Sequence, residues 1–109
     1  MGHDHADTLH LRIVMAMAHS RVGRNDAAVA LAEPALADHE RVLGADAQQT
    51  ITARMLVAVL YGNLDHHAEA LSLAERTLTD SERVCGPDDP ATESMRTFVT
   101  KLRKPAEET

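Results

Sequence analysis

The residues of this chain with the clearest potential for chemistry are histidines and aspartates near its start. The run His3-Asp4-His5, with Asp7 and His10 close behind, offers imidazole and carboxylate groups of the kind that bind zinc or nickel. The aspartate of this run recurs at 46 and 88 without histidines, which is typical of a repeated loop rather than of a ligand set. We therefore predict no metal site and no cofactor, and metal binding by this His/Asp cluster is the alternative.

The sequence offers little support for covalent catalysis. Cys85 is the single cysteine, so it excludes an intrachain disulfide, and it occupies the repeat position of Leu43, which indicates a packing residue. The chain contains no glycine-rich phosphate loop and no serine elbow. We predict no catalytic residues and a protein that is not an enzyme.

Three arginines, Arg12, Arg54 and Arg96, recur at the same repeat position. They could form a ladder that faces an acidic partner. They could instead pair with acidic residues of the neighbouring helix, such as Glu33 or Glu75, because isolated arginines are rarely left unpaired on packed helices. The pattern favours this second interpretation, although Arg12 and Arg54 stay among the predicted partner-binding residues as polar accessories.

These residues belong to a sequence that repeats itself every 42 residues. Gly2, Gly44 and Gly86 are equally spaced, and an aspartate, a threonine and an arginine follow them in register through all three copies. A period of this length is typical of stacked helical repeats, whose surfaces usually bind another molecule. We therefore predict a single domain over 1–104, made of a repeat at 2–43, a second repeat at 44–85 and a capping half-repeat at 86–104, with a polar tail at 105–109.

Composition limits both the fold and the partners. Only 2% of the 109 residues are aromatic, and such alanine- and leucine-rich sequence favours closely packed helices over sheets. A net charge of −6 with interleaved signs argues against nucleic acid and against an anionic membrane surface as partners. The sequence has neither a membrane-length apolar run nor a secretion signal, so we expect a cytoplasmic protein.

Glycine, proline and aspartate fall at the same places in each copy and divide each copy into two helices. We refer to the first helix of each repeat as an A helix and to the second as a B helix. The sequence predicts an all-α solenoid of about two and a half helix-turn-helix repeats, with five antiparallel helices at about 7–21, 26–42, 48–61, 66–84 and 90–103.

Several short segments of the chain together suggest a known family. They are His5-Ala6-Asp7-Thr8-Leu9, Gly23-Arg24, Ala28, Ala35-Leu36, Glu40-Arg41-Val42-Leu43-Gly44 and Gly86-Pro87-Asp88-Asp89-Pro90-Ala91-Thr92. These segments resemble the tetratricopeptide repeat family in its longer, kinesin light chain type. The resemblance implies a right-handed superhelix whose A helices line a concave face, and it implies binding of an extended peptide or a helix from another protein.

The chain departs from this family at one pair of positions. The family usually has two adjacent asparagines midway along each A helix, and the second commonly bonds to the backbone of a bound peptide. This chain has Ile13-Val14, Met55-Leu56 and Thr97-Phe98 there. Apolar side chains lack the paired donor and acceptor of an amide, so we predict recognition by apolar contact.

The first two A helices are apolar nearly all the way round, and a helix of this kind is normally buried on every side. In an isolated stack one side would meet water, and such a patch usually marks an interaction site. We predict binding of a helix or peptide of another protein, or of a second copy, so that the chain forms a homo-oligomer or belongs to a longer array. The predicted partner-binding residues are Arg12, Ile13, Val14, Met17, Arg54, Met55, Leu56, Val59 and Phe98. The alternative is a small-ligand protein that uses the same groove as a pocket.

Overall fold

The computed structural model describes residues 6–104, with side chains from Thr8 onward. Five α-helices account for most of this range, and no β-strand occurs within it. The helices are α1 (Ala6–Arg21), α2 (Asn25–Leu43), α3 (Gln48–Asn63), α4 (His67–Val84) and α5 (Pro90–Arg103). Each helix begins and ends within two residues of the sequence prediction, and the predicted all-α helical repeat is confirmed.

The helices pack mainly against their neighbours in the chain. Each contacts the next from α1 to α5, and the further contacts among the described helices are those of α1 with α3 and of α3 with α5. The A helices α1, α3 and α5 therefore form one continuous row, with the B helices α2 and α4 packed against it. The central A helix, α3, contacts both B helices, whereas α1 and α5 each contact one.

The recurring loops set where the helices begin and end. Gly44 and Gly86, which follow the two B helices, have φ angles of 92° and 99°, in the left-handed region that glycine adopts without a steric penalty. Pro90 begins α5, where its missing N–H removes no helical hydrogen bond. The carboxylate of Asp89 caps this helix by accepting a hydrogen bond from the amide of Ala91 at 2.9 Å.

The core depends on small side chains of the B helices. Ala28, Ala32 and Ala35 of α2 are fully buried, as are Ala70 and Ala74 of α4, and the pairs 28/70 and 32/74 share repeat positions. Small side chains let neighbouring helices approach closely, and larger side chains of the A helices fill the space between them. Those larger buried side chains are Leu9, Ile13, Ile51, Val57, Leu60, Met95 and Val99.

Candidate functional site

The central A helix, α3, has three distinct sides, and the 42-residue register identifies the corresponding sides of α1 and α5, each of which contacts one B helix. The first side packs against the following B helix, as Ile13 and Ala16 of α1 do against α2. The second packs against the preceding B helix, as Val57 and Leu60 of α3 do against α2. The third side faces neither B helix, and it is the side on which the three A helices form a common surface.

The third sides of α1, α3 and α5 enclose an apolar groove with a volume of about 250 Å³. Six of the nine predicted partner-binding residues line it. The complete lining consists of Ile13 and Met17 from α1, Thr52, Met55, Leu56 and Val59 from α3, and Ser94, Met95 and Phe98 from α5. Residues that are distant in sequence therefore meet here because the A helices lie side by side.

Most of the predicted groove residues are accessible in part. The side chain of Met17 is 42% exposed, and four others are half-buried, namely Met55, Leu56, Val59 and Phe98. Ile13 is different, because it is 2% exposed and packs in a buried cluster with Ala35 and Ala53. Ile13 therefore supports the groove from below and offers little surface to a partner.

Val14 lies at the edge of the groove. It is 43% exposed and lines a shallow depression on α1 together with Met17, Ala18 and Arg21. Because Met17 belongs to both surfaces, this depression continues the groove along the outer side of α1.

The three recurring arginines pair within the chain. Their shortest nitrogen–oxygen distances are 2.6 Å for Arg12–Asp38, 2.8 Å for Arg54–Asp80 and 3.3 Å for Arg96–Glu82. All three acids belong to B helices, as the favoured interpretation predicted, but they are not Glu33 and Glu75. Those two glutamates accept hydrogen bonds from Tyr61 and Arg103 instead.

The burial of Arg54 corrects its predicted role as a polar accessory of the groove. Its side chain is 1% exposed because B helices pack on both sides of α3. Besides its bond to Asp80, it donates to the carbonyl oxygen of Ala45 at 3.2 Å and lies 3.8 Å from Glu40. Its Nε atom is buried without a hydrogen-bond partner among the described residues. Arg54 is therefore a structural residue, whereas Arg12, at 28% exposed, keeps partial access to solvent.

Arginines also lower the pKa of two nearby carboxylates. Hydrogen bonds from Arg12 and Arg41 hold the pKa of Asp38 below its usual range, and a hydrogen bond from Arg83 does the same to the pKa of Asp46. None of these charged groups lines the apolar groove. The described lining of the groove contains no charged side chain.

A larger and more polar cavity, of about 660 Å³, lies between α2 and α4 above α3. Its lining includes the carboxylates of Glu33, Glu40 and Glu69, and the hydroxyl of Tyr61 donates to Glu33. We did not predict this cavity, because most of its lining comes from two B helices, and the charged positions there look like ordinary solvated faces in the sequence. The hydrogen bond to Glu33, partial burial and the nearby carboxylates raise the pKa of Tyr61 to about 12.

Tyr61 is expected to ionise near pH 12 in the folded chain, compared with about pH 10 for a free tyrosine. Because it is the single tyrosine and the chain has no tryptophan, ultraviolet absorbance of tyrosinate measures this group alone. Because the pKa of Tyr61 is higher in the folded chain than in the unfolded chain, the interactions of its protonated hydroxyl stabilise the fold fully below about pH 10. This stabilisation is lost as the pH rises through about 12. Glu33→Gln should lower the midpoint towards 10, and a wild-type midpoint near 10 with intact helical circular dichroism would contradict this prediction.

The predicted metal alternative involves His3, Asp4, His5 and the side chain of Asp7, which lie outside the described residues, together with His10, which is exposed on α1. Within residues 6–104, no group of three histidine, cysteine, aspartate or glutamate side chains is placed to hold a metal ion. Cys85 is half-buried just after α4. No described helix combines the length and the hydropathy that a membrane-spanning segment requires.

Comparison with known proteins identifies the repeat. The family model described as tetratricopeptide repeat matches residues 4–83, which is more than half of the chain and extends from the start of α1 nearly to the end of α4. A search of curated proteins gave no significant match.

Proposed function

The chain belongs to the tetratricopeptide repeat family, and we therefore propose that it is a non-enzymatic interaction module whose apolar groove binds a helix or extended segment of another protein. Repeats of this family generally mediate protein–protein interactions, and stacked repeats commonly use their concave surface for binding. The observation that supports this proposal most directly is the groove lining. Seven of its nine residues are apolar, and they come from three separate A helices.

The side chains of the groove indicate how a partner would be held. Met17 and Met55 are unbranched and polarizable, so they adapt to partners of imperfect fit, whereas Met95 is 2% exposed and packs in the core below the groove. An amphipathic helix that places apolar residues at intervals of three and four would bury them here. This mode replaces the asparagine-to-backbone bonds of the family, because Met55-Leu56 stands where the asparagines usually are.

The alternative function, binding of a small ligand in the same groove, has weaker support. Ligand pockets usually have volumes of about 300–1,000 Å³ and bury most of the ligand. The groove measures about 250 Å³, and Met17 on its wall is 42% exposed. An open apolar surface of this size suits a protein segment better than a small molecule.

Self-association, which the sequence also predicts, would place a second copy in this groove. Light scattering coupled to size exclusion tests it over a wide range of dilution. A dimer of twice the 11.9 kDa chain mass that becomes monomeric in Val59→Glu would identify the groove as the contact. A wild-type monomer at all concentrations would leave the groove for another protein.

We expect helical peptides selected from a display library against the wild-type chain to bind about tenfold or more weakly to Val59→Glu, because a charge would then be buried in an apolar contact. Ser72→Glu is the matched control, since Ser72 is exposed and lines the polar cavity rather than the groove. Circular dichroism confirms that both variants are folded. Selected peptides that bind Val59→Glu and the wild type equally would overturn the proposal.

A further inference from the structure

One side of α1 is exposed although its counterparts in the other repeats are buried. This side, which we call the end face, consists of Thr8, Leu11, Met15 and Ala18 of α1 together with Val22 just after the helix, and all five are exposed. The repeat positions of Thr8, Leu11, Met15 and Ala18 are occupied in α3 and α5 by eight residues, of which seven are buried and one, Leu102, is half-buried. They are Thr50, Ala53, Val57 and Leu60 in α3, and Thr92, Met95, Val99 and Leu102 in α5.

In the later repeats a B helix covers this side. α2 covers α3 and α4 covers α5, whereas α1 contacts only α2 and α3 among the described helices. Each covering helix presents a stripe of small or polar residues at the same four repeat positions. The stripes are Ala28, Ala32, Ala35 and His39 in α2, and Ala70, Ala74, Thr77 and Ser81 in α4, and all eight residues are buried.

Hydroxyl groups fix the end of each stripe. Thr50 donates to the carbonyl oxygen of His39 at 3.2 Å, and the hydroxyl of Thr92 lies 2.7 Å from that of Ser81. Thr8 is the same residue type at the same repeat position on α1. The end face therefore has a threonine hydroxyl at the position that bonds to the covering B helix in the later repeats, in addition to the apolar residues of those covered sides.

Acidic residues beside each stripe bond to the A helix below. In α2, Glu33 accepts a hydrogen bond from Tyr61, and a carboxylate oxygen of Glu40 lies 3.8 Å from a guanidinium nitrogen of Arg54. The same two repeat positions in α4 are Glu75 and Glu82. Glu75 accepts from the Nε of Arg103 at 3.0 Å, and Glu82 accepts from Arg96 at 3.3 Å. On α1 the corresponding positions are His19 and Arg12, and His19 also lines a depression of about 350 Å³ on the end face. Two basic side chains thus flank the exposed apolar residues.

We propose that the end face of α1 binds an acidic amphipathic helix of a partner protein, seated as α2 is seated on α3. Its sequence should follow the pattern shared by 28–40 and 70–82, in which small residues occupy positions 1, 5 and 8, a small or polar residue occupies position 12, and glutamates occupy positions 6 and 13. The glutamates face His19 and Arg12, and the small residues pack on Leu11, Met15 and Ala18.

A folded second copy does not provide this helix. Both of its stripes are already buried in its own core. Its other terminal helix, α5, is exposed at Glu93, Thr97 and Thr100, which are polar and match core positions of α1. Stacking of copies end to end would therefore set a polar surface against an apolar one. The proposal is also distinct from groove binding, because no end-face residue lines the groove itself, and the two surfaces meet only where Ala18 borders the depression beside Met17.

The test uses a labelled peptide with the sequence of α4, residues 67–84, and the full chain, with binding followed by fluorescence anisotropy. We expect saturable binding to one site, and we expect Met15→Glu to weaken it about tenfold or more, because the new carboxylate would be buried against small apolar residues. Met17→Glu is the matched control on the same helix, since Met15 and Met17 are 45% and 42% exposed, and it should change the affinity less than about twofold. Replacing Glu75 and Glu82 of the peptide by lysine should weaken binding about fivefold.

The free peptide must form a helix when it binds, and the free-energy cost of doing so can hide a weak interaction. A second measurement avoids this cost by joining the helix to the chain. Residues 67–85 are joined in front of Gly2, so that the junction repeats the natural Cys85–Gly86 sequence. The melting temperature should rise by about 5 °C or more, and Met15→Glu should remove the increase. Failure of both the peptide and the fusion would overturn the proposal, as would a wild-type dimer that Met15→Glu converts to a monomer. Neither result depends on whether the groove binds a partner.

Discussion

Replacement of Arg54 by alanine is expected to lower the free energy of unfolding by about 3 kcal/mol. The guanidinium is 1% exposed and bonds to Asp80 of α4 and to the carbonyl of Ala45, so one side chain joins the central A helix to a B helix and to the preceding loop. Its removal takes a donor from the carbonyl oxygen of Ala45, leaves Asp80 with only its 3.2 Å bond from Arg83 among the described residues, and opens a cavity between three helices. For a chain of this length the melting temperature should fall by about 15 °C.

Thermal and urea unfolding followed by circular dichroism measure this effect, and Arg12→Ala is the control. Arg12 has the same repeat position and a similar bond, to Asp38 at 2.6 Å, but it is 28% exposed. Because water can replace part of its interaction, its loss should be clearly less destabilising. Equal losses for the two variants would mean that burial between two B helices adds nothing to the contribution of Arg54.

Leu60→Ala is expected to destabilise the chain by about 3 kcal/mol for a different reason. Leu60 is fully buried in a cluster with Val57 of its own helix and with Ala28 and Ala32 of α2. The methyl groups of Ala28 and Ala32 are fixed to the backbone of α2 and cannot rotate into the space that Leu60 leaves. The cavity should therefore persist. The same unfolding measurements give the loss directly.

Leu11→Ala serves as the control for this cavity. Leu11 is 56% exposed on the end face, so its truncation should cost about 0.5 kcal/mol or less. If a B helix is added as in the fusion above, the cost of the same substitution should increase, because Leu11 would then be buried. An unchanged cost in the fusion would show that the added helix does not seat on this side.

Two proposed surfaces of α1 can be separated because they lie on different sides of one helix. Met17 lines the groove with Met55 and Phe98, whereas Met15 and Leu11 lie on the end face. The substitutions Met15→Glu and Met17→Glu introduce the same charge two residues apart. Each should weaken one interaction and spare the other, so the pair serves as reciprocal controls for both proposals.

The sequence determined the architecture because the features that fix it are local and repeated. The 42-residue register, the glycines at 44 and 86 and the Asp89-Pro90 pair mark the ends of helices whatever surrounds them, so the five helices were predicted within two residues. The groove residues were also predictable as a set, since apolar positions on successive A helices must meet when the repeats stack.

Only the tertiary structure decided which side of each A helix is buried. A helix that is apolar nearly all the way round gives no periodic signal that distinguishes its sides, so Ile13 and Met17 looked equivalent although one is core and the other is exposed. The arginines show the same limit, because Arg12 and Arg54 share a residue type and a repeat position. α3 lies between two B helices and α1 contacts one, and the number of neighbouring helices, which is a property of the stack, sets the burial of each guanidinium.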